Sequence, residues 1–219
     1  MFIVGADIGQ AQDPTALAVV ETAGDGDEVR VRHLERLPLG TPYPQVVARI
    51  VATVAALPDA ALVVDATGCG RPVADQLRAA GLDPVAVTIT AGKAATFDSG
   101  TWHVPKRELV RALVVAFEGD RLKIAADLRY AKALMGELQA YRRKITGAGR
   151  AAYGATAGAH DDLVIAVALA VWWAAHQGRT AGLVGPHSPA GRDLRIVRGF
   201  RRPNETPPPT AVKTPQGGA

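Results

Sequence analysis

Phe2-Ile3-Val4-Gly5-Ala6-Asp7-Ile8-Gly9 is an apolar run interrupted by one acid and closed by a glycine. A run this short, rich in β-branched residues, reads as a buried strand. Gln10-Ala11-Gln12-Asp13-Pro14 follows, and its Asp-Pro step favours a turn. Thr15 to Thr22 is apolar again, and Gly24-Asp25-Gly26-Asp27 after it is a strong hairpin signal. Val29 to Leu37 then alternates, with Val29, Val31 and His33 set against Arg30 and Arg32, as in a half-exposed strand. Strands joined by turns this short predict an antiparallel meander, and that meander separates the chain from a doubly wound parallel sheet.

Working outward, Pro44 starts a helix whose Val46, Val47, Ile50, Val51 and Val54 recur at the helical period. A buried strand from Ala60 to Thr67, a helix from Arg71 to Ala80 closed by Gly81, and a strand from Pro84 to Thr90 come next. Such a succession is parallel, with right-handed crossovers. Residues 91–101 read as a Gly/Thr/Ser loop, and Val104-Pro105-Lys106-Arg107 introduces a helix to about Glu118. Arg121 to Ala125 is a short strand or edge segment, Leu128 to Ile145 an amphipathic helix, and the glycines from Gly147 to Gly158 mark a flexible stretch. His160-Asp161-Asp162-Leu163-Val164-Ile165-Ala166-Val167-Ala168-Leu169-Ala170 then opens a helix apolar on every side, which belongs in a core. Leu109, Leu113, Leu134, Leu138, Trp172 and Trp173 join that core. The order predicts an α/β ribonuclease H-like (RNase H-like) fold: a mixed five-stranded sheet flanked by helices, the first strand beside the one that follows the first crossover helix. Residues 1–177 form this domain, and 178–219, rich in Pro, Gly, Arg and Thr, read as a disordered basic tail.

At 219 residues and 48% hydrophobic content the chain suits one domain with a proper core. Cys69 is the single cysteine, which excludes a disulfide framework and a zinc knuckle and fits a reducing, cytoplasmic setting. The first residues lack the basic start of a signal peptide. The longest apolar run, Leu163 to Ala175, is 13 residues, short of the roughly 18 that cross a bilayer, so no membrane partner is expected. A net charge of +4 and a sequence pI of 9.5 lean mildly towards polyanions.

The chemistry rests on acids in apolar surroundings. Period 2 places Asp7 with Gly5 and Gly9, opposite Phe2, Val4, Ala6 and Ile8, and small neighbours leave room for a ligand. Asp65 repeats the pattern in Ala61-Leu62-Val63-Val64-Asp65-Ala66-Thr67-Gly68. Gly68-Cys69-Gly70 lacks the Gly-Lys-Ser/Thr of a phosphate-binding loop, and none occurs elsewhere. Asp161 and Asp162 open the packed helix. Singly, each acid reads as well as a cap, a turn residue or a complement to the helix dipole. Together they suit hard cations such as Mg²⁺ or Mn²⁺. Two ions about 4 Å apart would activate water and stabilise a leaving oxygen in phosphoryl displacement. In that scheme Asp7 bridges the ions, Asp65 holds one, Asp162 the other, and Asp161 is auxiliary. Lys93, Lys106, Arg107, Arg142, Arg143 and Lys144 are candidate contacts to DNA phosphates, a solvated helix face being the equal alternative for the last three.

The three motifs, from Gly5 to Ala16, from Val63 to Gly68 and from His160 to Ala170, resemble the nuclease domain of tailed-phage large terminase subunits over residues 2–176. The third is the most specific, the others being shared among RNase H-like and RuvC-like enzymes. The resemblance implies an RNase H-like fold, two divalent metals, and endonucleolytic cutting of concatemeric double-stranded DNA during head packaging. Asp7, Asp65 and Asp162 match the metal-binding acids, with Asp161 beside them. The family carries an N-terminal packaging ATPase, and no Walker motif is seen in this sequence, so the motor is expected to be either a separate chain or lost; a separate ATPase chain and a portal are the candidate partners in the host cytosol. Related sites place another acid one turn after the helix acid, where this chain has Ile165, leaving Asp161, His160 or water as the fourth ligand. The competing functions are a catalytically weakened DNA-binding or assembly module of a degraded prophage, a RuvC-like resolvase, and a sugar-kinase-like phosphotransferase.

Overall fold

The computed structural model describes residues 1–9, 13–22, 28–147 and 161–181, with 141–147 and 178–181 given by their backbone alone. The expected meander is present: β1 (Phe2–Asp7) pairs antiparallel with β2 (Ala16–Thr22), which pairs antiparallel with β3 (Val29–Arg36). Helix α1 (Tyr43–Ala55) leads to β4 (Ala60–Asp65), parallel to β1 and beside it. Helix α2 (Gly70–Ala79) leads in turn to β5 (Val85–Thr90), parallel to β4.

Among the described residues the sheet has eight strands rather than the five expected. Two of the additions are β6 (Thr96–Asp98) and β7 (Thr101–Pro105), a hairpin that starts in the stretch 91–101, which reads in sequence as a loop, and runs on through Val104-Pro105, which reads as the lead-in to a helix. Ser99 and Gly100 join them with φ of 49° and 79°. Left-handed backbone at both central residues is the turn that matches strand twist, and Ser-Gly is a weaker sign of it than Asn-Gly. Helix α3 (Lys106–Glu118) follows Pro105, whose φ of −60° suits a helix entrance. The eighth strand, β8 (Leu122–Ile124), falls within Arg121 to Ala125, expected as a short strand or edge segment, and sits parallel to β3 at the far edge. The full order is β6-β7-β5-β4-β1-β2-β3-β8.

Helices cover both faces. Val4, Ala6, Ile8, Leu62 and Val64 pack with α1 and α2, burying Val46, Ile50, Val73 and Leu77. Ile3, Ala18, Val63 and Val87 pack on the other face with α3, α4 (Ala131–Gly147) and α5 (Asp162–Ala181). Alternation along β1 therefore separates the two cores, and every residue of α5 from Asp162 to Trp173 is buried. Helix α5 continues past Gly178, where the composition changes; the tail from 182 and the stretch 148–160, including His160, lie outside the described residues. No helix among the described residues is long and apolar enough to cross a membrane.

Candidate metal centre and nucleic-acid interface

Strands β1, β3, β4, β5 and β7 run in one direction and finish at one edge of the sheet. Asp7 ends β1, Arg36 ends β3, Asp65 ends β4, and Lys106 follows the end of β7. The register puts Asp7 opposite Ala16 and Ala16 opposite Arg36, a single row across the meander.

Two close backbone approaches bring further groups to that edge. A Cβ on Gly5 would lie 2.0 Å from the Ala166 carbonyl oxygen and 3.3 Å from the Ala170 Cβ. The missing side chain lets α5 press against β1. Because Asp162 precedes Ala166 by one turn and Asp7 follows Gly5 on the same strand face, this contact sets both acids at one end. The space beside Gly5 is thus filled by α5, and at Gly9 by Asp13 and Pro14 backbone, instead of being left for a ligand. Gly70 plays the same part for Asp65, its Cβ position lying 1.8 Å from the Asp65 carbonyl oxygen.

The four predicted acids are close enough to interact. Burial pushes the Asp7 carboxyl well above the ordinary carboxylate range, and repulsion from Asp65, Asp161 and Asp162 pushes it the same way, against the pull of Lys106. Among the described residues the Asp7 carboxylate takes no hydrogen bond. Asp65 is also raised by burial, although its Oδ1 accepts the Thr67 N–H at 2.8 Å and Lys106 lies near. The Asp161 carbonyl accepts the Ile165 N–H, so α5 starts at this residue, while its carboxylate meets the Lys106 ammonium at 2.7 Å.

Asp162 is 4% exposed and is gripped at both oxygens by Arg36, from Nε at 2.6 Å and Nη2 at 2.9 Å. Arg36 also donates to Glu137 of α4, whose other oxygen accepts the Val164 N–H of α5 at 3.2 Å. Glu137 thereby satisfies, from a neighbouring helix, an amide that α5 cannot satisfy itself. Burial pushes Glu137 up to about 7, more than Arg36 pulls it down. Arg36 is held above its usual value despite burial, by Asp162 first and then Glu137. The guanidinium is thus secured by Asp162 whatever the protonation of Glu137.

Neither Arg36 nor Glu137 stands out in the sequence. Arg36 lies in a strand of alternating charge and Glu137 on an amphipathic helix. The other predicted cations divide. Lys106 lies within the acid cluster, paired with Asp161. Arg107 donates to the Lys93 carbonyl, which joins these two exposed cations at the same sheet edge. Arg142, Arg143 and Lys144 fall in the last turns of α4, with side chains outside the described residues.

An all-carboxylate donor set fits a hard divalent cation, and Asp7, crowded by acids and without a donor among the described residues, fits a place for positive charge. Among the described residues no three His, Cys, Asp or Glu groups are already drawn together around a common point for a metal. Asp161 and Asp162 are instead engaged by Lys106 and Arg36.

A meander followed by β4 at the side of β1, with acids at the shared strand ends and α5 against them, defines an RNase H-like domain. The chain belongs to the terminase RNaseH-like domain family, whose model matches residues 4–172. The large terminase subunit of Thermus phage G20c is 26% identical over 170 residues, covering 78% of this chain and 31% of that protein. The chain therefore spans about a third of the length of the curated relatives it matches. Among solved structures, the G20c large terminase nuclease with bound magnesium is 26% identical with a TM-score of 0.57, over 78% of this chain and 80% of that one. The form with bound cobalt is 27% identical with a TM-score of 0.56 over the same shares.

Proposed function

We propose that this chain is a divalent-metal-dependent endodeoxyribonuclease that cuts double-stranded phage DNA by phosphodiester hydrolysis with two Mg²⁺ or Mn²⁺ ions. The observation that carries this reading is that Asp7, Asp65, Asp161 and Asp162, from three separate elements, come close enough to interact, with Asp7 buried and taking no hydrogen bond among the described residues. The magnesium- and cobalt-bound forms of the G20c nuclease support it. Asp7, Asp65 and Asp162 would hold the ions, with Asp161 alongside. Bound there, such ions supply water activation and stabilisation of charge on the leaving oxygen. The protein's own part is to fix the acids on rigid strand ends and on a buried helix, so that little reorganisation accompanies reaction. Lys93 and Arg107 at the same edge would meet backbone phosphates and position a duplex without reading its sequence. The biological setting that follows is DNA packaging in the host cytoplasm, with an ATPase motor and a portal as partners.

The direct test is supercoiled plasmid with Mg²⁺ or Mn²⁺, and with EDTA as control, for the wild type, Asp7→Ala and Asp65→Ala. Nicking or linearisation should require metal and fall by roughly a hundredfold or more in each variant, as loss of several kcal/mol of charge stabilisation demands. Cutting that persists in both variants would refute the assignment.

A further inference from the structure

The acid cluster carries its own counter-cations, and the two are held differently. The Lys106 ammonium meets Asp161 Oδ2 at 2.7 Å, with side chains 25% and 23% exposed. Arg36 holds Asp162 through two nitrogens, with side chains 21% and 4% exposed, and is held in turn by Glu137, 10% exposed. A planar fork on both oxygens of a carboxylate is the stronger and more directional of these arrangements. It also uses both oxygens with which Asp162 would bind a cation.

We propose that the Arg36–Asp162 pair is a latch on the metal site: a divalent cation binds Asp162 only in exchange for Arg36, and Glu137 retains the displaced guanidinium. The inference rests on the metal-binding reading given above. Three features support an exchange over a fixed structural pair. Arg36 enters from the strand end and remains partly exposed, so it has somewhere to go. Glu137 already binds the guanidinium at Nη2 and is anchored through its second oxygen to the Val164 N–H, so it stays in place when Asp162 is released. Asp162 starts a buried helix whose position is fixed by the Gly5–Ala166 contact, so the carboxylate does not need to move with its partner. The latch keeps a buried acid neutralised until metal arrives. Its cost is metal affinity, because each cation must first displace a bidentate pair.

Calorimetric titration of the protein with Mn²⁺ alone, without DNA, tests this. Arg36→Gln should bind Mn²⁺ more tightly than the wild type, by about tenfold for loss of a bidentate charge-assisted pair. Its thermal midpoint should rise more on Mn²⁺ addition than that of the wild type. Should Arg36→Gln fail to fold, Arg36→Lys decides, since it keeps the charge but loses the fork; about threefold tighter binding is then expected. Unchanged or weaker binding in the folded variant would overturn the latch while leaving the metal site standing. Absence of Mn²⁺ binding in the wild type, or undiminished binding in Asp7→Ala, would overturn the metal reading itself, and the latch with it.

Discussion

At the scale of single residues, Glu137 links charge to stability. Its carboxyl is raised from 4.5 to about 7, by burial before any other cause. A folded-state value above the unfolded one means that the folded protein holds the proton more tightly. The stabilising effect is full below about 4.5 and is lost as pH rises through about 7. Asp7 is shifted in the same direction. These two groups should therefore make the metal-free protein lose stability as pH rises from acid to neutral, contrary to the usual behaviour of a carboxylate in an ion pair. Glu137→Gln keeps an oxygen for the Val164 N–H but cannot ionise. It should flatten the profile by up to the order of 3 kcal/mol, the full equivalent of the shift. Urea unfolding in EDTA at about pH 5 and about pH 8 measures this directly; equal pH dependence in the two proteins would show that Glu137 does not carry it.

At the scale of elements, β3 explains what was legible in the sequence and what was not. Asp7 and Asp65 are readable because an acid closing an apolar strand is conspicuous, and Asp162 because it opens a helix apolar on all sides. Arg36 is hidden by a shift of register. Val19 pairs with His33 but Val20 pairs with Val31, so the backbone register skips Arg32. An extra residue of this kind flips the faces beyond it. Val29 and Val31 face the α5 core before the bulge, and Leu34 faces it after, carrying Arg36 to the same side. Strict alternation would have left Arg36 beside the exposed Arg30 and Arg32. The β6–β7 hairpin escaped for a similar reason, because its strands are short and its turn is Ser-Gly. Gly5 was conspicuous, but only the structure gives its reason, since α5 comes from the far end of the chain. Gly5→Ala should destabilise the fold by about 1–3 kcal/mol, the usual cost of forcing atoms into a packed core, because the neighbour at 2.0 Å is backbone and cannot rotate away. Chemical denaturation reads the loss, and Mn²⁺ affinity should fall with it as α5 and Asp162 shift from Asp7. A variant as stable as the wild type would mean that α5 does not rest on β1 at this point.

At the scale of the whole molecule, the sheet edge divides into two electrostatic zones. The acids lie with Arg36 and Lys106 as internal counter-charges, whereas Lys93 and Arg107 stand exposed beside them, joined by the Arg107 hydrogen bond to the Lys93 carbonyl. A polyanion approaching bare acids is repelled, so a phosphodiester would reach this edge, on the proposed function, only with the cluster neutralised and an adjacent cationic footing. Exposed cations act through counterion release, which is independent of sequence and steeply dependent on salt. Replacing Lys93 and Arg107 together by alanine should weaken duplex binding to a similar degree for unrelated sequences. The slope of log affinity against log salt should fall by about two, one for each lost phosphate contact. Mn²⁺ affinity should be unchanged, because neither side chain touches the acid cluster. Fluorescence anisotropy of labelled duplexes across a salt series gives the slope, and calorimetry gives the metal affinity. An unaltered slope would remove both residues from the interface and place the duplex on another face. A fall in metal affinity alongside the slope would mean instead that the two zones are one, with these cations helping to hold the acids in place.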